Sequence, residues 1–202
     1  MGVGNSITHN MAGLINKILS RDEQVCPWWL AYTFDNPLRR IFHKPEEIFL
    51  PHLKEGMTAI DLGCGMGYFS IGMAKIVGES GRIISVDLQQ RMLNTLIKRA
   101  RKAGVANRIS TFLSDEKNIG VNEKVDFALA FWMAHETPDE MNFLKQAHAL
   151  LKKSGKLLLA EPKIHVTAAE FQKTLSSAQK IGFKHLDSPI ISLSHAALLG
   201  KP

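Results

Sequence analysis

Three glycines, Gly63, Gly65 and Gly67, alternate with other residues in the stretch AIDLGCGMGYFS, where an apolar run passes into a helix-like segment. Glycine permits tight turns and lets the backbone approach a bound group without interference from a Cβ atom. A helix that begins after such a loop directs free N–H groups and the positive end of its dipole toward the same place. The stretch therefore predicts a ligand-binding loop between a strand and a helix.

The spacing of the glycines separates the classes of ligand that such loops bind. A phosphate-binding P-loop needs a Lys followed by Ser or Thr, which is absent here. A dinucleotide loop needs G-x-G-x-x-G, and its third glycine position holds Tyr68. Neither Tyr32 nor Tyr68 has a lysine four residues on, so a nicotinamide-dependent dehydrogenase is the weakest alternative. The remaining pattern is D-x-G-x-G-x-G, which begins at Asp61.

Short apolar segments alternate with amphipathic ones from Met57 onward, and Met92, Leu96 and Ala100 recur at the spacing of one helix face. Strands that alternate with helices form a mostly parallel, doubly wound sheet, which binds ligands at the carboxyl ends of its strands. The glycine stretch follows the first predicted strand, so it lies at such an end. The predicted strands are 57–62, 81–88, 108–113, 125–131 and 155–162, with a closing pair at 183–188 and 191–200.

Capping boxes mark the starts of two predicted helices. Thr137 is followed by Pro138 at the first helical position and by Glu140 three residues on. Thr167 and Glu170 have the same spacing. The glycines predicted to close helices are Gly104 and Gly182.

Composition bounds the organisation of the chain. Its 202 residues are 45% hydrophobic and 22% charged, which fits one globular domain with an extension. Residues 1–55 combine two helix-like pieces with a tryptophan pair and several prolines. We expect an N-terminal helical extension at 1–55 and the main domain at 56–202.

Charge and cysteine content indicate the setting. Cys26 and Cys64 form no disulfide framework, and the sequence shows no secretion signal, no membrane span and no metal-binding spacing of histidines, so we expect a cytoplasmic protein without a metal. The net charge of +6 permits an anionic partner. The basic cluster at 97–102 fits either a solvated helix face or a patch for nucleic acid or lipid headgroups.

Residues 59–70 resemble motif I of the class I S-adenosylmethionine-dependent methyltransferases. The resemblance extends to Asp87 at the end of strand two, to Asp115 after strand three, and to a closing helix and strand pair that is similar to the family's antiparallel hairpin. It implies an α/β Rossmann-like sandwich with a seven-stranded, mostly parallel sheet whose last strand is antiparallel. The implied cofactor is S-adenosyl-L-methionine, which leaves as S-adenosyl-L-homocysteine.

The family's binding residues can be transferred to matching positions of this sequence. The resemblance implies that Asp87 holds the ribose hydroxyls and that Asp115 binds the adenine amino group. Simpler roles stay open: a helix cap for Asp87, an ordinary loop acid for Asp115 and a small filler for Cys64. The predicted cofactor-binding residues are Asp61, Gly63, Cys64, Gly65, Gly67, Tyr68, Asp87, Leu88, Asp115 and Glu116.

The segment AFWMAHETPDE follows strand four, where this family often presents substrate-facing residues. It lacks the Asn/Asp-Pro-Pro-Tyr/Phe signature of adenine N6 methylation. It resembles instead the small-molecule branch related to quinone-biosynthesis enzymes, the methyltransferase type 11 group. His135 is the first candidate for a general base, Glu136 the second and His165 a weaker one, while a structural role for His135 stays open.

The expected function is methyl transfer to a small-molecule acceptor. A methyltransferase acting on RNA, DNA or protein, and an S-adenosylmethionine-binding protein without turnover, remain the alternatives. The aromatic stretch CPWWLAYTF, residues 26–34, either covers the open end of the sheet or forms a lid over the substrate.

Overall fold

The computed structural model describes residues 39–202. The helices are α1 (Arg39–Phe42), α2 (Pro45–Phe49), α3 (Tyr68–Val77), α4 (Gln90–Lys102), α5 (Glu140–Leu150) and α6 (Ala168–Ile181). The strands are β1 (Thr58–Leu62), β2 (Arg82–Asp87), β3 (Ile109–Leu113), β4 (Val125–Phe131), β5 (Leu151–Pro162), β6 (Lys184–Asp187) and β7 (Ser194–Gly200). Short 3₁₀ turns lie at Ala106–Arg108 and Ala134–Glu136.

The strands described at 39–202 form one sheet in the order β3-β2-β1-β4-β5-β7-β6. The pairs β1–β2, β2–β3, β1–β4 and β4–β5 are parallel, whereas β7 runs antiparallel to both β5 and β6. Strand order reverses between β1 and β4, so the carboxyl ends of these neighbours flank the crevice of a doubly wound sheet. The predicted fold class, a Rossmann-like sandwich with an antiparallel last strand, is confirmed.

The apolar cores lie on the two faces of the sheet. Central strands of parallel sheets are buried on both faces, and β1 and β2 are accordingly buried at every position after the first. On one face Phe143 of α5 and Phe171 of α6 pack against the sheet. On the other face Phe49, Phe69 and Leu93 bring α2, α3 and α4 together. The part of the sheet that carries the glycine loop is thus covered by helices on both faces.

One predicted helix start is confirmed and the other is wrong. Thr167 and Glu170 form the predicted capping box at the start of α6. Helix α5 instead begins at Glu140, after Asp139, whose carboxylate accepts the N–H of Asn142 at 2.9 Å. The hydroxyl of Thr137 is occupied elsewhere, because it donates to the carbonyl of Ala134 at 2.7 Å and closes the preceding 3₁₀ turn.

Both predicted helix stops are confirmed. Gly104 and Gly182 follow α4 and α6 with φ of 71° and 115°, in the left-handed region that glycine reaches most readily.

The N-terminal extension is described only from residue 39. The aromatic stretch 26–34, with Cys26 and Tyr32, lies outside the described residues. Phe49 and Leu53 are buried in the core, and the ring of Phe49 meets that of Phe127 on β4 edge-to-face at 6.2 Å. The division between 55 and 56 stays a prediction. From residue 39 onward, no helix has the length and apolarity needed to span a bilayer.

Candidate active site

The glycine loop connects β1 to α3 and is tied down by the neighbouring strand. Gly63, Gly65 and Gly67 have φ of 71°, 53° and 83°, which are left-handed values that other residues rarely adopt. The N–H groups of Gly63 and Cys64 both donate to the carbonyl of Val86 on β2 at 2.9 Å. The loop is therefore fixed in shape at the carboxyl ends of β1 and β2.

The surroundings of the three glycines differ. A Cβ atom added to Gly63 would lie 2.9 Å from Met133, and one added to Gly67 would lie 2.4 Å from Leu96. A Cβ atom added to Gly65 would meet no atom of the described residues within 4 Å. Gly63 and Gly67 are thus needed for packing inside the protein, whereas Gly65 borders open space that a ligand can approach closely.

Asp61 lies beneath the loop at the end of β1, among the buried residues. Its carboxylate accepts the hydroxyl of Ser70 at 2.5 Å, and Ser70 in turn accepts the hydroxyl of Ser85 at 2.8 Å. This chain joins β1, α3 and β2 under the glycines. Sequence reasoning missed both serines. Contact of Asp61 with a cofactor stays a prediction, and its role in supporting the loop is evident.

Asp87 ends β2 and is almost fully buried. One carboxylate oxygen accepts the N–H of Gly65 and the other accepts the N–H of Gln89, both at 2.8 Å. Burial raises the pKa of this carboxyl, and the backbone N–H groups of the next turn and of Gly65 oppose that rise. A carboxylate has about four acceptor positions, so acceptor capacity for a further hydroxyl donor remains beside these bonds. Asp87 therefore caps a turn and keeps acceptor capacity next to the open side of Gly65.

Asp115 lies in an exposed turn near Asp87. The two segments are adjacent because Leu113 pairs with Asp87 across β2 and β3, and the N–H of Ser114 donates to the carbonyl of Asp87. Hydrogen bonds from the N–H of Lys117 and from the side chain and backbone of Asn118 lower the pKa of Asp115. The carboxylate thus has a structural task in its own turn. Neighbouring Glu116 is also exposed.

Apolar side chains border the same rim. Leu88 and Leu113, at the ends of β2 and β3, are both exposed large hydrophobic residues. They provide an apolar surface beside the acceptor oxygens of Asp87. A flat, partly polar ring system fits such a combination.

Two other predicted binding residues have contacts inside the protein. Cys64 is buried, and this burial, with the nearby charges of Asp61 and Asp87, raises the pKa of its thiol well above the usual value. The thiol therefore stays protonated and fits the role of a small filler. The hydroxyl of Tyr68 donates to the carbonyl of His43 at 2.8 Å, which fastens the N-terminal segment to α3.

His135 lies in the 3₁₀ turn that follows β4, next to the glycine loop through the contact of Met133 with Gly63. Its Nδ1 is hydrogen-bonded to a carboxylate oxygen of Glu161 at the end of β5. The ring of His165 stacks on it, with centroids 5.9 Å apart and planes 14° from parallel. The predicted candidates His135 and His165 are thus brought together, with Glu136 adjacent in the same turn.

Burial alone would lower the pKa of His135. The hydrogen bond and charge of Glu161, helped by the charge of Glu136, outweigh burial and raise the pKa above its ordinary value. Glu161 is only 2% exposed, and its second oxygen accepts the N–H of Ala134 at 2.9 Å. Sequence reasoning missed Glu161. The available signal was an acidic residue directly after the apolar run LLLA of strand five.

Trp132, between β4 and this turn, belongs to the predicted substrate-facing segment, although sequence reasoning gave it no role of its own. It has φ of 60°, which is uncommon for a bulky residue. Its backbone N–H donates to the carbonyl of Ala160 and its indole N–H to the hydroxyl of Ser194. These bonds from β5 and β7 hold the turn that carries His135.

Among the described side chains, no group of three or more His, Cys, Asp or Glu is arranged to hold a metal ion. The site consists of a glycine loop, an acceptor carboxylate and a histidine–carboxylate pair, at the carboxyl ends of β1, β2, β4 and β5. This arrangement can bind a polar ligand along the loop and move a proton beside it.

Comparison with known proteins agrees with this geometry. The family model described as a methyltransferase domain matches residues 53–190. A probable cobalt-precorrin-6B C(15)-methyltransferase (decarboxylating) from Saccharolobus solfataricus is 25% identical over 137 residues, which are 67% of this chain and 65% of that protein. A demethylmenaquinone methyltransferase from Lactobacillus johnsonii is 31% identical over 110 residues, which are 54% of this chain and 45% of that protein. The chain thus spans less than two thirds of the length of either relative.

A solved structure shares the fold. The crystal structure of a SAM-dependent methyltransferase from Aquifex aeolicus superposes with a TM-score of 0.79 at 22% identity, covering 88% of this chain and all of that one. The family match includes the whole glycine loop, Asp87, His135 and Glu161. The chain therefore belongs to the methyltransferase domain family and has the Rossmann-like fold of the class I S-adenosylmethionine-dependent methyltransferases.

Proposed function

We propose that this protein transfers a methyl group from S-adenosyl-L-methionine to a small-molecule acceptor. One observation carries the proposal: the glycine loop, which is open at Gly65 beside Asp87, contacts the turn that bears His135 through the packing of Gly63 against Met133. A cofactor laid along the loop would thus have a proton-accepting group nearby. The family to which the chain belongs supports the same activity.

The residues present fit the cofactor. The space beside Gly65 accepts a group at close approach, and Asp87 keeps acceptor capacity for a ribose hydroxyl. Leu88 and Leu113 offer an apolar surface to the adenine ring, with Asp115 and Glu116 at its polar edge. In this proposal Asp61, Gly63, Cys64, Gly67 and Tyr68 shape and support the loop. When bound, the cofactor supplies an already activated methyl group on a sulfonium.

Because the donor is activated, the protein's main contribution is alignment of acceptor and donor, which can lower a barrier by up to about 7–11 kcal/mol. A positioned base adds a factor of about 10² to 10⁴ where the acceptor must lose a proton. His135 is the proposed base. Glu136 is the second candidate and also contributes to the raised pKa of His135.

A small-molecule acceptor is favoured over nucleic acid. The two relatives carry the names of enzymes acting on a cobalt-precorrin and on demethylmenaquinone. Within the basic cluster at 97–102, Arg99 donates to the carbonyl of Met66 in the glycine loop, so it has a structural task. We also propose that residues 1–55 form an extension to the main domain at 56–202, and that the protein works in the cytoplasm.

Calorimetric titration of the purified full chain with S-adenosylmethionine, S-adenosylhomocysteine and NADH tests the proposal. We expect micromolar binding of both adenosyl ligands and none of NADH. Binding of NADH alone would overturn the proposed cofactor. Tight adenosyl binding without methyl transfer to any acceptor would indicate a binding protein, and RNA binding that falls steeply with salt would indicate a nucleic-acid substrate.

A further inference from the structure

We propose that Glu161 is a positioning residue that fixes His135 with its proton on Nδ1, so that Nε2 is the nitrogen that takes a proton from the methyl acceptor. This inference rests on the proposed methyl transfer and specifies its chemistry. It assigns the acceptor to molecules that lose a proton from the methylated atom, such as a phenol, an enol or an acidic C–H. Acceptors that have no proton to lose, such as thioethers, fall outside the class.

The first step of the argument is the bonding of Glu161. One oxygen faces Nδ1 of His135 and the other accepts the N–H of Ala134. An ionised carboxylate only accepts hydrogen bonds, so the proton in the contact with His135 belongs to Nδ1. In the neutral ring, Nε2 then carries the lone pair. The tautomer follows from the partner, as it does in histidines that serve as bases.

The second step is the placement of the carboxylate. Glu161 is 2% exposed at the end of a strand whose preceding residues are buried and apolar, whereas 25% of the side-chain surface of His135 is exposed. A buried charge is costly unless hydrogen bonds compensate for it. Here the buried carboxylate lies beside a histidine that solvent and substrate can reach, and such a pairing is typical of sites that transfer a proton.

The other charged and titratable groups around His135 come from three elements. Glu136 lies in the same turn, and its charge acts in the same direction as that of Glu161. His165 follows β5 and stacks on the ring of His135. His195 pairs with Glu161 across β5 and β7, and its ring stacks on Phe171. The group that is hydrogen-bonded to Nδ1 of His135 is Glu161.

In the proposed step the bond between the acceptor atom and its hydrogen breaks, and the proton moves to Nε2. The electron pair left on the acceptor atom forms the new bond to the methyl carbon. With the donor bound, its carbon–sulfur bond would break at the same time, and the electron pair would stay on sulfur as a neutral thioether. His135 then releases the proton to solvent, and no oxidant or reductant is needed.

A purely structural role for Glu161, holding the turn through Ala134, makes a different prediction. In Glu161→Gln the amide oxygen still accepts the N–H of Ala134, so the turn is kept. The amide NH₂ would donate to Nδ1 of His135, which moves the ring proton to Nε2 and removes the lone pair there. If Glu161 only supports the turn, Glu161→Gln should leave the tautomer of His135 unchanged; if Glu161 positions the ring, the tautomer should change.

The test is long-range ¹H–¹⁵N NMR of the histidine rings in the ¹⁵N-labelled full chain, followed through a pH titration. His135 is assigned by the signals lost in His135→Gln, and His165→Gln serves as the matched control. We expect wild-type His135 to have its neutral proton on Nδ1, and we expect Glu161→Gln to move that proton to Nε2 and to lower the pKa of His135. Glu161→Asp keeps the charge and should retain most of the wild-type pKa.

An Nε2–H tautomer in the wild type, or an unchanged titration of His135 in folded Glu161→Gln, would overturn the inference. If Glu161→Gln does not fold, the wild-type tautomer and the Glu161→Asp titration still decide it. Titration of the same samples with S-adenosylhomocysteine separates the two proposals. If the wild type shows the expected His135 tautomer but does not bind S-adenosylhomocysteine, the proposed cofactor is refuted. If it binds S-adenosylhomocysteine but shows the other tautomer, only the role of Glu161 is refuted.

Discussion

Met133 packs directly against Gly63: a Cβ atom built on the glycine would stand 2.9 Å from both Cβ and Cγ of the methionine. This contact joins the loop after β1 to the turn after β4, the two neighbouring strands at which sheet order reverses. The residues expected to hold a cofactor and the residue expected to move a proton therefore lie at the same end of the sheet, in segments that pack against each other.

Gly63→Ala is expected to destabilise the protein by about 1–3 kcal/mol, since it adds a clash with Met133 to the strain of a positive φ. Gly65→Ala, at a similar φ but in open space, should cost less stability and instead weaken binding of S-adenosylhomocysteine. Urea unfolding and calorimetry on both variants check the contrast. Equal losses of stability in the two variants would contradict it.

Asp87→Asn is expected to weaken S-adenosylhomocysteine binding tenfold or more, because a hydrogen bond to a charged group contributes about 1.5–3 kcal/mol. The matched control is Asp187→Asn on the edge strand β6, away from the glycine loop. Calorimetric titration measures both. Wild-type affinity in Asp87→Asn would remove the ribose role and leave Asp87 as a cap of the following turn.

Ser70→Ala should lower the free energy of unfolding by about 1–3 kcal/mol, because it removes a donor from the buried carboxylate of Asp61. Ser176→Ala, on an exposed part of α6, is the control, since its hydroxyl donates to the carbonyl of Gln172 within the same helix. Urea unfolding at neutral pH gives both values. A loss at Ser70 no larger than at Ser176 would mean that the chain of hydroxyls under the loop is energetically unimportant.

The stability due to His135 should depend on pH with a definite sign. Its folded pKa is raised above the unfolded value, so the contribution is fully present below about pH 6.5 and is lost as pH rises through the folded pKa. Urea unfolding of wild type and His135→Gln should therefore differ more at about pH 6 than at about pH 9. His185→Gln, on the exposed edge strand β6, is the control, and a difference that grows with pH would contradict the raised pKa.

Asp139→Ala is expected to destabilise α5 by about 1 kcal/mol, as the loss of an N-cap usually does, whereas Pro138→Ala should have little effect. Thermal unfolding followed by circular dichroism measures both. If Pro138→Ala proved the more costly, the helix would begin where the sequence pattern placed it.

The contrast between Thr137 and Thr167 shows what the sequence can predict. Both begin a T-x-x-E pattern, yet only Thr167 caps a helix, because the hydroxyl of Thr137 is taken by the turn before it. Local signals such as glycine spacing and strand alternation were sufficient for the fold and for the position of the glycine loop between β1 and α3. The partner of a side chain depends on what the neighbouring strand brings, which local spacing does not encode.

The same limit explains the missed carboxylate. His135 and Glu161 are separated by 26 positions, and they meet because β4 and β5 are adjacent and parallel. Once the strand order is known, an acid at the end of β5 is the natural partner for a histidine after β4. Asp61 could be predicted because it stands two residues before the first glycine of a local motif. Its bond to Ser70 could not be predicted, because that bond depends on how α3 turns back over β1.

The position of β7 has a consequence for how the protein is made. This strand follows the other six described strands along the chain, yet it lies inside the sheet and joins β6 to β5. Until residues 194–200 leave the ribosome, β5 presents an open edge beside its apolar residues, and β6 has no strand to pair with. The pairing of β5, the strand that carries Glu161, is therefore completed late during synthesis. Until then the nascent chain exposes an unpaired strand edge, which is prone to aggregate and which chaperones can shield.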